Sequence, residues 1–317
     1  MHRRALLALA IASGSAAALP GHAAGPAVRI GWLRAPNDLT TGRARSTLRQ
    51  ALEAQGATAE WPGPFPAAAP ALEAMNAGSI DITAGSSTAC ITALAARIPM
   101  LIFACQPISA AGEGILVKRG APITRISELQ GRSVAVNRGG TGEYLLMRAL
   151  DRNNIPADSV RRVYLSPGDS GAAFAQGHVD AWAAWDPFIS IALASYDARL
   201  LADGDAIGSD NAVTLMCSRH FAETRPALLQ AVFDTCLADN AWARANPAEA
   251  GRIWTEAMAL PASLAPAIGA NNAVPTRGVT DQDVAQIAQI ADWYVASGIV
   301  PRRPDIGAGV LRLRPSR

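Results

Sequence analysis

Ser133-Val134-Ala135-Val136-Asn137-Arg138-Gly139-Gly140-Thr141-Gly142 reads as an apolar strand running into a glycine-rich turn, with a helix predicted over 143–153. The same order occurs upstream, where Ile80-Asp81-Ile82-Thr83-Ala84 is followed by Gly85-Ser86-Ser87-Thr88 and a helix that ends before Pro99. A strand whose carboxyl end opens a helix is the repeating unit of α/β folds, and ligands collect at that end of the strands. A helix start leaves four amide N–H groups without helical partners and carries partial positive charge. Glycine lets the backbone approach a ligand closely, and Ser or Thr adds hydroxyl donors. An oxyanion such as sulfonate, phosphate or nitrate can be held there without a dedicated lysine. The plainer reading is that each turn is capped by its own Ser or Thr and holds nothing. Neither turn ends in the Gly-Lys-Ser/Thr of a phosphate-binding P-loop, and neither has Rossmann glycine spacing.

Outward from these turns, strand and helix patterns alternate. Strands are predicted over 27–33, 57–61, 80–84, 100–105, 114–118, 133–137, 162–165, 181–184 and 211–218, and 199–202 closes the second unit. One amphipathic helix is predicted over 40–55, and from Pro226 onward the pattern is almost wholly helical. This rhythm predicts α/β structure with parallel sheets. The simplest assembly is two α/β lobes, one of residues 25–106 plus 206–317 and the other of 107–205. The chain would cross between them near Gln106–Ala111 and near Asp203–Asp210. Two lobes on two connections make a hinge with a cleft, where small ligands bind.

Bulk properties exclude several classes. The formal charge of +2 includes Arg3 and Arg4, which belong to an apparent leader, so the mature chain is near neutral. Such a surface gives no electrostatic footprint for nucleic acid. Residues 1–24 read as a secretory signal: Arg3 and Arg4, then the small-residue apolar stretch Ala5–Leu19, a Pro20-Gly21 break, and cleavage after Ala23 or Ala24. No cysteine lies near the cleavage site, which argues against a lipid anchor. No later segment offers about 18 uninterrupted apolar residues, so a periplasmic protein is expected. The four cysteines, Cys90, Cys105, Cys217 and Cys236, have no metal-type spacing and read as small buried hydrophobes or as a structural disulfide. No cofactor is implied.

Other candidate ligand residues come from strand ends. Trp32 and Arg34 follow the first strand, and Arg34 is either a cation for an anionic ligand or a solvated surface residue. Asp180-Ala181-Trp182-Ala183-Ala184-Trp185-Asp186-Pro187 ends another strand. Trp182 suits a core, Trp185 a core or a cleft wall, and Asp186 a helix cap or a contact to an amine or donor. The candidate ligand set is Trp32, Arg34, Gly85, Ser86, Ser87, Thr88, Gly139, Gly140, Thr141, Gly142, Trp185 and Asp186. Histidines are few and there is no nucleophile elbow and no HExxH, so no catalytic set is apparent.

Several stretches in order resemble the periplasmic substrate-binding proteins of the aliphatic sulfonate, taurine and nitrate ABC importers, above all the alkanesulfonate type. They are Gly78-Ser79-Ile80-Asp81-Ile82, Leu129-Gln130-Gly131-Arg132-Ser133-Val134-Ala135-Val136-Asn137, Tyr144-Leu145-Leu146, Ala172-Ala173-Phe174 through Gly177, and Val179-Asp180-Ala181-Trp182 to Trp185-Asp186-Pro187. The resemblance implies a type II periplasmic-binding fold with a closing cleft. It also implies an ABC permease and ATPase as partners, a monomer that docks on them, and no enzymatic activity. It places the sulfonate near Ser86, Ser87, Thr88, Gly140, Thr141 and Gly142. Other ligands of the same class (taurine, nitrate, an aromatic sulfonate, a heterocycle) and a sensor role remain alternatives. The same fold serves an aromatic sulfinate desulfinase with a cleft cysteine, whereas here no cysteine lies in the loop after the first strand.

Overall fold

The computed structural model describes residues 25–316, so the leader lies outside the described residues. The chain begins with β1 (Ala27–Gly31), α1 (Asp38–Ala44), α2 (Thr47–Glu53), β2 (Thr58–Glu60), α3 (Ala68–Asn76), β3 (Ile82–Ser86), α4 (Ser87–Ala95) and β4 (Met100–Pro107). It continues with β5 (Glu113–Lys118), β6 (Ser133–Val136), α5 (Thr141–Arg152), β7 (Arg161–Tyr164), α6 (Pro167–Ala175), β8 (Ala181–Trp185), α7 (Phe188–Ser195) and β9 (Ala198–Asp203). It ends with α8 (Gly204–Ile207), β10 (Ala212–Ser218), α9 (Arg219–Thr224), α10 (Pro226–Ala245), α11 (Pro247–Ala257), α12 (Ala265–Asn272), β11 (Arg277–Gly278) and α13 (Asp281–Ala296).

The strands form two sheets, one ordered β11-β4-β10-β3-β1-β2 and one ordered β7-β6-β8-β5-β9. Both are mixed, which corrects the expectation of parallel sheets. β1 pairs in parallel with β2 and β3, and β6 with β7 and β8. β10, however, is antiparallel to both β3 and β4, and β5 is antiparallel to both β8 and β9. The cause is topological. β4 leads out of the first sheet and β10 leads back in, so their directions oppose; β5 and β9 stand in the same relation in the second sheet.

The helix expected over 40–55 is two helices, broken at Ser46, whose φ of 62° lies in the left-handed region. The break has a tertiary cause. Arg45 and Thr47, on either side of it, both bond the carboxylate of Asp239 on α10. The last helix follows its sequence closely: Thr280 and Asp283 form a reciprocal capping box at its start.

The largest apolar cluster includes Ile102 and Met216 of the first sheet, Ile115 and Val134 of the second, and Tyr294 of α13. Tyr144 on α5 meets Trp293 and Tyr294 edge-on or tilted, at ring separations of 5.8 and 6.3 Å. A second cluster, with Phe103, Leu215 and Phe233, lies under α1, α2 and α10; a third gathers Phe174, Trp182 and Ile189 on the second sheet. Trp182 is therefore a core residue. All four cysteines are buried and unpaired. Among the described residues no helix is long and apolar enough to cross a membrane.

Candidate functional site

A cavity of about 130 Å³ lies between the two sheets, where the carboxyl ends of β1, β3, β6 and β8 converge. Its first-sheet wall comes from the loop 33–37, the stretch 66–69, and the β3 end Ala84–Ser86 with Ala89 and Thr92 of α4. Its second-sheet wall is the turn 137–141 with Trp185, Asp186 and Phe188. Gln106 to Ser109 and Gly112 of the first crossing, Val213 of β10, and Asn271, Asn272 and Val274 at and just after the end of α12 complete the lining.

Each turn is shaped by its own bonds. Ser86 is the N-cap of α4: its Oγ accepts from the Ala89 amide at 3.2 Å and lies 2.7 Å from the Thr88 hydroxyl. In the second turn the Gly142 amide donates to Asn137 Oδ1 at 2.7 Å, and the Gly139 amide to Glu143 Oε2 at 2.7 Å. These bonds curl the turn so that the start of α5 faces the cavity. The Thr141 amide, at the first helical position, has no helical carbonyl to bond. Gly139 has φ of 63°, a conformation that side chains resist. At Gly140 a Cβ would stand 2.0 Å from Asn137 Nδ2, displacing the very side chain that holds the Gly142 amide.

The charges at the cavity are asymmetric. Arg34 and Arg138 are exposed residues of its lining, one from each wall. Neither pairs with a carboxylate among the described residues. Arg138 is steadied by stacking on Tyr164, its guanidinium 3.7 Å from the ring centroid. Among the described residues the only carboxylate in the lining is Asp186, which is buried and already occupied. It accepts from Asn271 Nδ2 at 2.8 Å, Asn272 Nδ2 at 3.2 Å, and the Ser190 amide and hydroxyl at 3.0 and 2.8 Å. Burial raises its pKa above the ordinary carboxylate value, and the Asn271 and Ser190 bonds oppose that shift.

Of the residues singled out from sequence, Arg34, Gly85, Ser86, Gly139, Gly140, Thr141, Trp185 and Asp186 line the cavity, and Trp32, Ser87, Thr88 and Gly142 do not. Trp32 is buried on the far side of its loop, where Arg43 stacks on its ring at 4.0 Å. Ser87 and Thr88 are wholly buried, because each step along a helix turns the side chain by about 100° away from the cavity-facing cap. Ser87 Oγ donates to Asn211 Oδ1 at 2.8 Å, and Thr88 Oγ1 lies 3.4 Å from Thr141 Oγ1. Gly142 packs so closely that a Cβ would come within 2.6 Å of the Ala183 carbonyl.

Sequence reasoning missed Gln106, Ser109, Arg138, Phe188, Asn271 and Asn272 in the lining. Arg138 carried a usable signal, as the one cation within the quoted glycine turn. Asn271 and Asn272 carried none, since they arrive from a distant helix.

The family described as NMT1/THI5 like matches residues 65–250. A protein of Escherichia coli (strain K12) named for aliphatic sulfonates binding is 33% identical over 243 residues, 76% of this chain and 76% of its own length. The crystal structure of the periplasmic aliphatic sulphonate binding protein SsuA from Escherichia coli matches with a TM-score of 0.82 at 29% identity, covering 92% of this chain and 94% of that one. The alkanesulfonate-binding protein SsuA from Xanthomonas axonopodis pv. citri, bound to MOPS, matches with a TM-score of 0.84 at 28% identity, covering 92% and 100%. The two-sheet architecture is thus that of these periplasmic binding proteins. With the match to over half its length, the chain belongs to the NMT1/THI5-like family.

Proposed function

We propose that this chain is the exported, periplasmic solute-binding component of an ABC importer, and that it captures a small organic anion, an aliphatic sulfonate, in the cavity between the sheets. The observation that carries this reading is the convergence of two helix starts and two unpaired guanidinium groups on one cavity whose single carboxylate is already satisfied. A sulfonate presents three acceptor oxygens and needs no proton. The Thr141 amide, the Ser86 and Thr141 hydroxyls and the two arginines can all donate to such a group.

The ligand's tail lies against Trp185 and Phe188, which meet edge-on at 5.6 Å, and against the small residues Pro66 to Ala69. The cavity volume is close to the roughly 150 Å³ that accepts benzene in a protein core, so the ligand is a short molecule rather than a peptide. We take residues 25–106 with 206–317 as one lobe and 107–205 as the other, closing on the ligand about the two crossings. The closed form of the monomer then presents a surface to the permease of an inner-membrane transporter.

The supported activity is capture without chemistry. No cysteine contributes to the cavity lining, and the thiol of Cys90, at 0% exposure, is pushed up to about 12 by burial. A thermal-shift screen of the mature protein tests the reading, since a ligand that prefers the folded state raises its stability by RT ln(1 + [L]/Kd). Short alkanesulfonates, taurine and MOPS are compared with sulfate, nitrate, aminopyrimidine and amino acids. Stabilisation by the sulfonates is expected; stabilisation by a control compound alone contradicts the choice of ligand.

A further inference from the structure

Asn211 ends the second crossing, one residue before β10 enters the first sheet, and is 5% exposed. Its side-chain amide is fully used. Oδ1 accepts from Ser87 Oγ at 2.8 Å, and the two Nδ2 hydrogens go to Glu113 Oε2 at 3.1 Å and Thr141 Oγ1 at 3.2 Å. Ser87 Oγ in turn accepts from the Ala212 amide at 3.2 Å. These partners belong to different bodies. Ser87 opens α4 beside the first sheet, whereas Glu113 begins β5 of the second sheet and Thr141 opens α5 beside it. Asn211 is therefore anchored to the first-sheet side by one bond and reaches the second-sheet side by two.

We propose that Asn211 is a positioning residue for ligand capture: anchored by Ser87, it latches the two helix starts of the cavity together across the crossings. The inference rests on the binding reading given above. Asn211 does not line the cavity, so its effect runs through Thr141, which does, and through the first turn of α4. Separating the two sheets breaks its bonds to Glu113 and Thr141 while leaving the Ser87 anchor whole. Each broken bond is exchanged for one to water, a modest net cost that favours the joined arrangement. No other side chain of similar size matches this set of partners. Aspartate lacks both donors and would set a second carboxylate against Glu113, and alanine satisfies none of the three partners.

The test is stopped-flow ligand dissociation from the mature protein with a short alkanesulfonate as probe. Asn211→Ala is expected to release the probe about 10–100-fold faster while association changes by less than about threefold, because a latch acts on the bound, joined state. Ser133→Ala is the control for lost stability alone: Ser133 is a buried residue at the start of β6, the end of that strand away from the cavity, and bonds Asp180 at 2.7 Å. It should lower the melting temperature with dissociation unchanged. Ser87→Ala should accelerate release by a smaller factor, about 3–10-fold, and add nothing in the Asn211→Ala background, since both act through one bond. If Asn211→Ala does not fold, Ser87→Ala alone decides. Wild-type dissociation rates in either foldable variant overturn the inference while leaving the binding reading intact. A wild-type protein that binds no alkanesulfonate removes the binding reading and the inference with it.

Discussion

Asp186, on the turn that closes β8, and Asn271, at the end of α12, meet at 2.8 Å and join the second sheet to the C-terminal helices. The contact is part of a small lattice: Asn271 passes its carbonyl to Ser109 Oγ at 2.6 Å, and the Asp186 amide donates to the Gly112 carbonyl at 2.8 Å. The Asp186 carboxylate thus joins the cavity wall to α12, and the backbones of Asp186 and Asn271 tie both to the first crossing.

Asp186→Ala should therefore destabilise the fold. It strands the Asn271 and Asn272 amides and removes the acceptor for Ser190. The expected loss is about 1–3 kcal/mol of unfolding free energy, read from urea denaturation. An unchanged urea midpoint would show that water replaces the carboxylate without cost.

Much of this arrangement was legible in the sequence and some of it was not. The runs 80–84, 100–105 and 133–137 are apolar and short, and each lies within two residues of an observed strand. The two turns also declared themselves, because glycine and hydroxyl residues at a strand end have few other uses. The split of the first amphipathic helix was hidden, since it follows from the distant Asp239. Strand direction was hidden too, because it depends on which strands carry the chain between sheets. Within the turn 85–88, residue type alone did not distinguish the cavity-facing Ser86 from the inward Ser87 and Thr88; helical rotation does.

Glu113 predicts a pH dependence. It is buried, and burial pushes its pKa from 4.5 to about 7, only partly opposed by its side-chain bonds to Ser209 and Asn211. At low pH both folded and unfolded states hold the proton. Between about 4.5 and about 7 the folded state holds it while the unfolded state releases it, so stability falls as pH rises through that window and levels off above it. The fall from this group is on the order of 3 kcal/mol, and Asp38, raised from 3.8 to about 6 chiefly by burial, adds a comparable fall at lower pH in the same direction. Glu113→Gln should flatten most of the slope in urea midpoints measured between about pH 5 and pH 8. A slope as steep as that of the wild type would contradict this assignment.

Arg34 and Arg138 should contribute to anion affinity through screened Coulomb attraction. Arg34→Gln and Arg138→Gln should each weaken sulfonate binding by about 2–10-fold at low ionic strength, with the difference shrinking near 0.3 M salt. Calorimetric titration at two salt concentrations checks this. Equal affinities for wild type and both variants would place the anion away from the guanidinium groups.

The cysteines should be silent in the native protein. All four are buried and unpaired, and burial pushes the thiols of Cys90 and Cys217 up to about 12. A disulfide-exchange reagent should label none of them in the folded protein and all four after denaturation. Rapid labelling of the folded protein would reveal an accessible thiol and reopen a catalytic reading.

The most direct test of the central claim is a crystal structure of the mature protein with a short alkanesulfonate. The sulfonate oxygens are expected between the first turns of α4 and α5, within hydrogen-bond reach of the Thr141 amide and the Ser86 hydroxyl, with the tail against Trp185. A sulfonate bound elsewhere, or an inverted ligand with its tail at the helix starts, would contradict it.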